Sequence, residues 1–324
     1  MVYLPGMLKQ PAGGMIVARD LRDLGPACAR PIVALGKFDG VHRGHARLLA
    51  SVRRLATQAG APAMAVTFDV HPDALLRPHQ VPPVLTTIEE KTAAIAASGV
   101  DCLLYLEFTA AFARLSAWEF ARDFLAAGIG ARMVLAGENF RFGRNRGGDT
   151  EMLRRWGPRL GFAFRAVPQA TVGGEPVSST RIRRVIAAGE MRLAAALLGR
   201  PYSVEGEVDH GVSRGRALGA PTANLRLPGK LLPPDGVYLA RAAIDGGEPL
   251  PSILNLGTSP TFGAGERRLE VHFLRFSGDL YGRRVRVFFE RYLRHETRFP
   301  DPAALGRQIR RDIARAERHF KVSR

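Results

Sequence analysis

The order of apolar runs along the 324 residues predicts two domains of different class: an α/β domain with a doubly wound parallel sheet, then a small β-barrel with a C-terminal helix. Three observations predict it. At roughly 150 residues per domain, the length favours two. In the first half, short apolar runs alternate with stretches of helical period. In the second half, strand-like runs follow one another between glycine- and proline-rich turns.

The run PIVALG at 31–36 reads as a strand, and a helix is expected over 45–58. A second strand over 63–68 follows Gly60 and Pro62, which completes a strand–helix–strand unit of a parallel sheet. Runs at 101–106 and 133–136 repeat the rhythm, with helical stretches at 88–97 and 117–126 between them. Residues 182–198 are helical in composition and stop at Gly199-Arg200-Pro201, so the domains are drawn as 1–190 and 191–324. From Ser203 onward, strands are expected at 238–243, 269–276 and 284–290. A final helix over 302–320 places Leu305, Ile309 and Ile313 opposite a face of arginines and is expected to pack on the barrel.

Composition narrows the function classes. Apolar residues at 46% and charged residues at 24% are globular averages and argue against global disorder. No uncharged apolar stretch approaches the roughly 18 residues of a membrane span, so no membrane partner is expected and a cytoplasmic location is the default. The net charge of +17 suits polyanions, either nucleic acid or small phosphorylated substrates. The basic residues are spread along the chain and match no recognised nucleic-acid motif, which favours the small substrates. Cys28 and Cys102 have neither metal-site spacing nor the numbers of a disulfide framework, and both are expected as buried or partly buried thiols.

Two segments carry chemistry. The decapeptide from Gly36 to His45, GKFDGVHRGH, lies between the first strand and the first helix, where backbone N–H groups hold anions. His42 and His45 flank Gly44, and such a pair can donate to phosphate oxygens while the glycine admits a nucleotide close to the backbone. A helix cap with exposed histidines would read the same way. Ser179 and Thr180, with Arg183 a turn further on, form either a triphosphate cradle at a helix N-terminus or an ordinary cap. Asn139, Phe140 and Phe142 offer a stacking face and an amide, or plain strand core. In the second half, the loop from Gly211 to Leu225, GVSRGRALGAPTANL, is glycine-spaced and basic, and is not a Walker-type loop. Thr222 and Asn224, alternate residues of an extended segment, can present oxygens to one Mg²⁺, or can close a satisfied turn.

The first decapeptide resembles the GxFDGxHxGH motif of the HxGH nucleotidyltransferase superfamily, specifically of flavin adenylyltransferases. TFDVHP at 67–72, GENFRFG at 137–143 and SSTRIR at 178–183 agree with that family in the same order. The second loop resembles the riboflavin kinase motif, with support from NLGTSPTF at 255–262, LEVH at 269–272 and DLYG at 279–282. RYLRHE at 291–296 resembles a family segment that helps close the flavin site. Two positions depart from the family pattern, Val70 and Ala220, where proline and phenylalanine are usual.

The resemblance covers residues 17–320 and implies a bifunctional bacterial riboflavin kinase/FAD synthetase, with riboflavin, FMN and ATP as substrates, FAD as product and Mg²⁺ as cofactor. It implies that His42 and His45 are catalytic in the first domain. There Gly36, Phe38, Gly44, Ser179, Thr180 and Arg183 would bind ATP, and Asn139, Phe140 and Phe142 the flavin. In the second domain it implies Glu270 as the base, Gly215, Arg216, Gly219, Thr222 and Asn224 at ATP, and Thr222 and Asn224 at the metal. A chain with one active module, or a basic nucleic-acid-binding protein, are the competing readings.

Overall fold

The computed structural model describes residues 14–209, 222–227, 229–258, 267–274, 276, 278–297 and 299–321. The chain divides into two compact units, Met1–Ser179 and Thr180–Arg324.

Six parallel strands build the first unit: β1 (Ile16–Ala18), β2 (Ile32–Leu35), β3 (Ala63–Phe68), β4 (Cys102–Leu106), β5 (Met133–Gly137) and β6 (Ala163–Val167), in the order β1-β4-β3-β2-β5-β6. The helices are α1 (Arg43–Ala59), α2 (Asp73–Leu76), α3 (Ile88–Ala96), α4 (Ala110–Arg114), α5 (Ala117–Glu119) and α6 (Thr150–Leu160), and a two-stranded ribbon of β7 (Thr171–Val172) and β8 (Glu175–Pro176) follows. Strand residues alternate between two cores. Val33, Leu35, Met64, Val66, Val134 and Ala136 face Phe120, Phe124 and Leu153. Ile32, Ala34, Ala63, Ala65, Leu103 and Leu135 face Leu48, Leu49, Val52 and Ile95. The sheet is doubly wound because β3 and β4 extend it on one side of β2 while β5 and β6 extend it on the other. The crevice beyond the carboxyl ends of β2 and β5 is therefore the switch point where such sheets bind ligands.

α1 begins two residues before the expected helix, capped by His42, and stops at Gly60 with φ 57°. The stretch expected as a helix over 117–126 is the short α5 followed by a wide-turn π-helix, Phe120–Gly128, in which Ile129 N–H reaches back to the Phe124 carbonyl at 2.9 Å. The two cysteines differ from expectation: Cys28 and Cys102 form a disulfide rather than two thiols. Sequence spacing hides this, because the partners stand 74 residues apart and meet only when the sheet places the first residue of β4 beside the turn that leads into β2.

The second unit opens with the rest of α7 (Ser179–Ala187) and α8 (Met191–Leu198), where one helix was expected; Gly189, at φ 75°, breaks it. Six antiparallel strands then close a barrel: β9 (Tyr202–Asp209), β10 (Ala223–Leu225), β11 (Gly236–Ile244), β12 (Leu250–Thr258), β13 (Arg267–Phe273) and β14 (Arg284–Arg294), in the order β10-β13-β12-β11-β14-β9. α9 (Pro302–Phe320) packs on it as expected, with Ile313, Ala316 and Phe320 against Val237, Leu239 and Ile253.

Candidate functional site

The Gly36–His45 segment runs from the carboxyl end of β2 into α1, at the switch point of the first sheet. Its backbone is unusual: Phe38, Gly40 and Val41 have φ of 50°, 82° and 38°. Such strain persists only where surroundings impose it. Phe38 is fully buried. Asp39 Oδ1 accepts from the N–H of Leu85 at 2.9 Å and of Thr86 at 3.3 Å, and Gly40 N–H donates to Thr86 Oγ1 at 3.2 Å. Thr67 Oγ1 on β3 donates to the Lys37 carbonyl at 2.9 Å, and Ser179 Oγ donates to the Asp39 carbonyl at 2.9 Å.

This scaffold fixes the two histidines. His42 caps α1, and its Nδ1 accepts from the His45 N–H at 3.3 Å. With Nδ1 accepting, the neutral ring carries its proton on Nε2, a donor for an oxyanion. The His42 and His45 rings stack at 3.6 Å with 13° between their planes, and Phe38 packs edge-on to His45 at 5.1 Å. A Cβ on Gly44 would lie 3.1 Å from His42 Cε1, so the glycine is what lets the imidazole fold over the helix start.

Around β5, Asn139 is exposed and Phe140 half-buried, whereas Phe142 is buried in the core, stacked at 5.7 Å on Phe140 and 5.2 Å from Phe120. Thr180 and Arg183 follow Ser179 in α7, the threonine exposed and the arginine half-buried.

Sequence reasoning did not single out Lys91 of α3. Its side chain is buried, and its Nζ donates to the Phe68 carbonyl at the end of β3, at 2.8 Å. Burial pushes its pKa down, opposed by the carboxylates of Asp39 and Asp69. A charged residue on the inner face of a helix was the available sequence signal.

In the barrel, Asn224 of β10 pairs with Glu270 of β13, and Glu270 pairs with Asn255 of β12. Directly paired residues project to one face of a sheet, so the three form a polar row across neighbouring strands. Their neighbours Ala223, Leu225, Leu269, Val271, Leu254 and Leu256 are buried and fill the barrel, which puts the row on its outer face. Asn255 Nδ2 donates to Glu296 Oε1 at 3.2 Å, and a Cβ at Gly257 would collide with that carboxylate. Asn255 Oδ1 is buried without a hydrogen-bond partner among the described residues. Thr222 leads into β10, whereas Gly215, Arg216, Gly219 and Ala220 lie outside the described residues. Thr222, Asn224 and Glu270 offer hard oxygen donors. Among the described residues no cluster of three or more histidine, cysteine or acidic side chains could hold a metal by itself. A cation here would share its coordination with phosphates and water, which is the habit of Mg²⁺. No helix among the described residues is long and apolar enough to cross a membrane.

Comparison with known proteins agrees with this division. The FAD synthetase family model matches residues 27–181 and the riboflavin kinase model residues 198–320. The bifunctional riboflavin kinase/FMN adenylyltransferase of Pseudomonas fluorescens is 40% identical over 93% of this chain and 97% of its own. Its counterpart from Escherichia coli K12 is 36% identical over 90% and 94%. A crystal structure titled as a macrolide-efflux protein from Streptococcus pneumoniae superposes with a TM-score of 0.85, at 30% identity, over 94% of this chain and 99% of that one. The paired motif loops, the two matched families and relatives similar along nearly their whole length place this chain in the bifunctional riboflavin kinase/FMN adenylyltransferase family.

Proposed function

We propose that this chain makes FAD from riboflavin in two ATP-dependent steps, with Mg²⁺ and in the cytoplasm: residues 191–324 phosphorylate riboflavin, and residues 1–190 adenylylate the FMN produced. The observation that carries the reading is the histidine pair held at the switch point by a strained loop.

In the barrel, Glu270 accepts the proton of the riboflavin 5′-hydroxyl as that oxygen attacks the γ-phosphorus of ATP and ADP leaves. Asn255 lies in register beside Glu270. Thr222 and Asn224, with Gly215, Arg216 and Gly219, hold the nucleotide. A Mg²⁺ ion on the Thr222 and Asn224 oxygens would offset phosphate charge. In the doubly wound unit, an FMN phosphate oxygen attacks the α-phosphorus of ATP in line, and pyrophosphate leaves without a covalent enzyme intermediate. His42 donates from Nε2 and His45 lies against it, so charge developing on the phosphates meets preorganised donors. Gly36, Phe38 and Gly44 shape the nucleotide site, and Ser179, Thr180 and Arg183 hold the departing pyrophosphate. Asn139, Phe140 and Phe142 support the flavin.

The test is a chromatographic time course of the purified protein with riboflavin, ATP and Mg²⁺. FMN followed by FAD is expected. His45→Ala should lower FAD formation about 100-fold, the order of one lost transition-state donor, and leave FMN formation intact. Glu270→Ala should do the reverse. FMN alone would confine activity to the barrel, and salt-dependent RNA binding without flavin turnover would overturn the reading.

A further inference from the structure

Lys91 is costly where it stands. Its side chain is withdrawn from water in the first half of α3. A methionine would fill the same space without that desolvation penalty. What the ammonium touches is a neutral carbonyl, that of Phe68, and an aromatic face, that of Tyr105 at 5.4 Å from the centroid. What acts on it through space are two carboxylates, Asp39 in the loop after β2 and Asp69 in the loop after β3. Both loops leave the same edge of the sheet, because β2 and β3 are parallel neighbours. The segment that carries Lys91 also carries Leu85 and Thr86, whose N–H groups hold Asp39.

Carboxylates in the two loops that follow β2 and β3 oppose the gathering of a triphosphate and a flavin phosphate there, and Asp69 has a second cation at hand, Arg19 Nη1 at 4.0 Å. Resting on the reading that this unit adenylylates FMN, we propose that Lys91 is a positioning residue for that reaction: it ties the end of β3 to the segment whose Leu85 and Thr86 hold Asp39 of the histidine loop, and it offsets the field of Asp39 and Asp69 where the two anionic substrates meet. It does not touch the reacting atoms. Its effect therefore falls on KM for ATP and FMN more than on kcat.

The experiment measures FAD formation from FMN and ATP in the full-length protein, as wild type, Lys91→Met, and the double variant Lys91→Met/Asp69→Asn. Wild type should form FAD, Lys91→Met should raise KM for ATP at least tenfold with a smaller change in kcat, and the double variant should recover most of that rise. Thermal melting of each variant accompanies the kinetics. An unchanged KM in Lys91→Met would overturn the proposal alone. So would a parallel loss of melting temperature and activity that the double variant fails to recover, since that marks a purely structural role. A wild type that makes no FAD would instead defeat the underlying reading, and the proposal with it.

Discussion

At the scale of single residues, the first site depends on backbone that most side chains refuse. Phe38 and Val41 adopt left-handed φ without being glycine, and they are held there by burial and by the Asp39 and Thr86 contacts. Gly44 has the opposite role: it keeps a place empty for the His42 ring. Gly44→Ala puts a methyl 3.1 Å from that ring, so the imidazole must tilt and its Nε2 donor must turn from its aim. We expect FAD formation to fall by about tenfold, as a loss in kcat, with FMN formation from riboflavin unchanged; steady-state kinetics on both products checks it.

At the scale of elements, α9 shows how the barrel's outer face is secured. Asp312, 6% exposed, receives Arg294 of β14 through Nε at 3.0 Å and Nη2 at 2.7 Å, and Gln308 Nε2 at 2.9 Å. Removing one partner of such a buried pair strands the other charge, so Asp312→Ala should destabilise the barrel by about 3 kcal/mol, measured by denaturant unfolding. FAD formation from added FMN should survive. Long, periodic elements of this kind were legible from sequence: α9 has the expected bounds, and β3 falls where its run of apolar residues stood. β12 was missed because Pro251 and Gly257 interrupt its apolar pattern, while β10 is only three residues long and takes its strand character from neighbours on both sides. The histidine pair was legible because its residues stand only three positions apart in the chain. Asn224 and Glu270 were named from sequence through their motifs, but their alignment in one row with Asn255 was not legible, since register between strands creates it, and Lys91 acquires its partners only when two loops converge.

At the scale of the whole molecule, one covalent link sets the two units apart. The disulfide of Cys28 and Cys102 belongs wholly to the first unit, and its loop encloses α1, β3 and α3. A closed loop of that span removes chain entropy worth about 4.5 kcal/mol from the unfolded state. Reduction should therefore lower the melting point of the first unit by roughly 10 °C and leave the barrel where it was, which differential scanning calorimetry with and without dithiothreitol would register. Wherever reduction brings the melting point of the first unit below that of the barrel, warming would silence adenylylation while phosphorylation continued. Over that interval of temperature the molecule would be a one-step catalyst whose output stops at the mononucleotide.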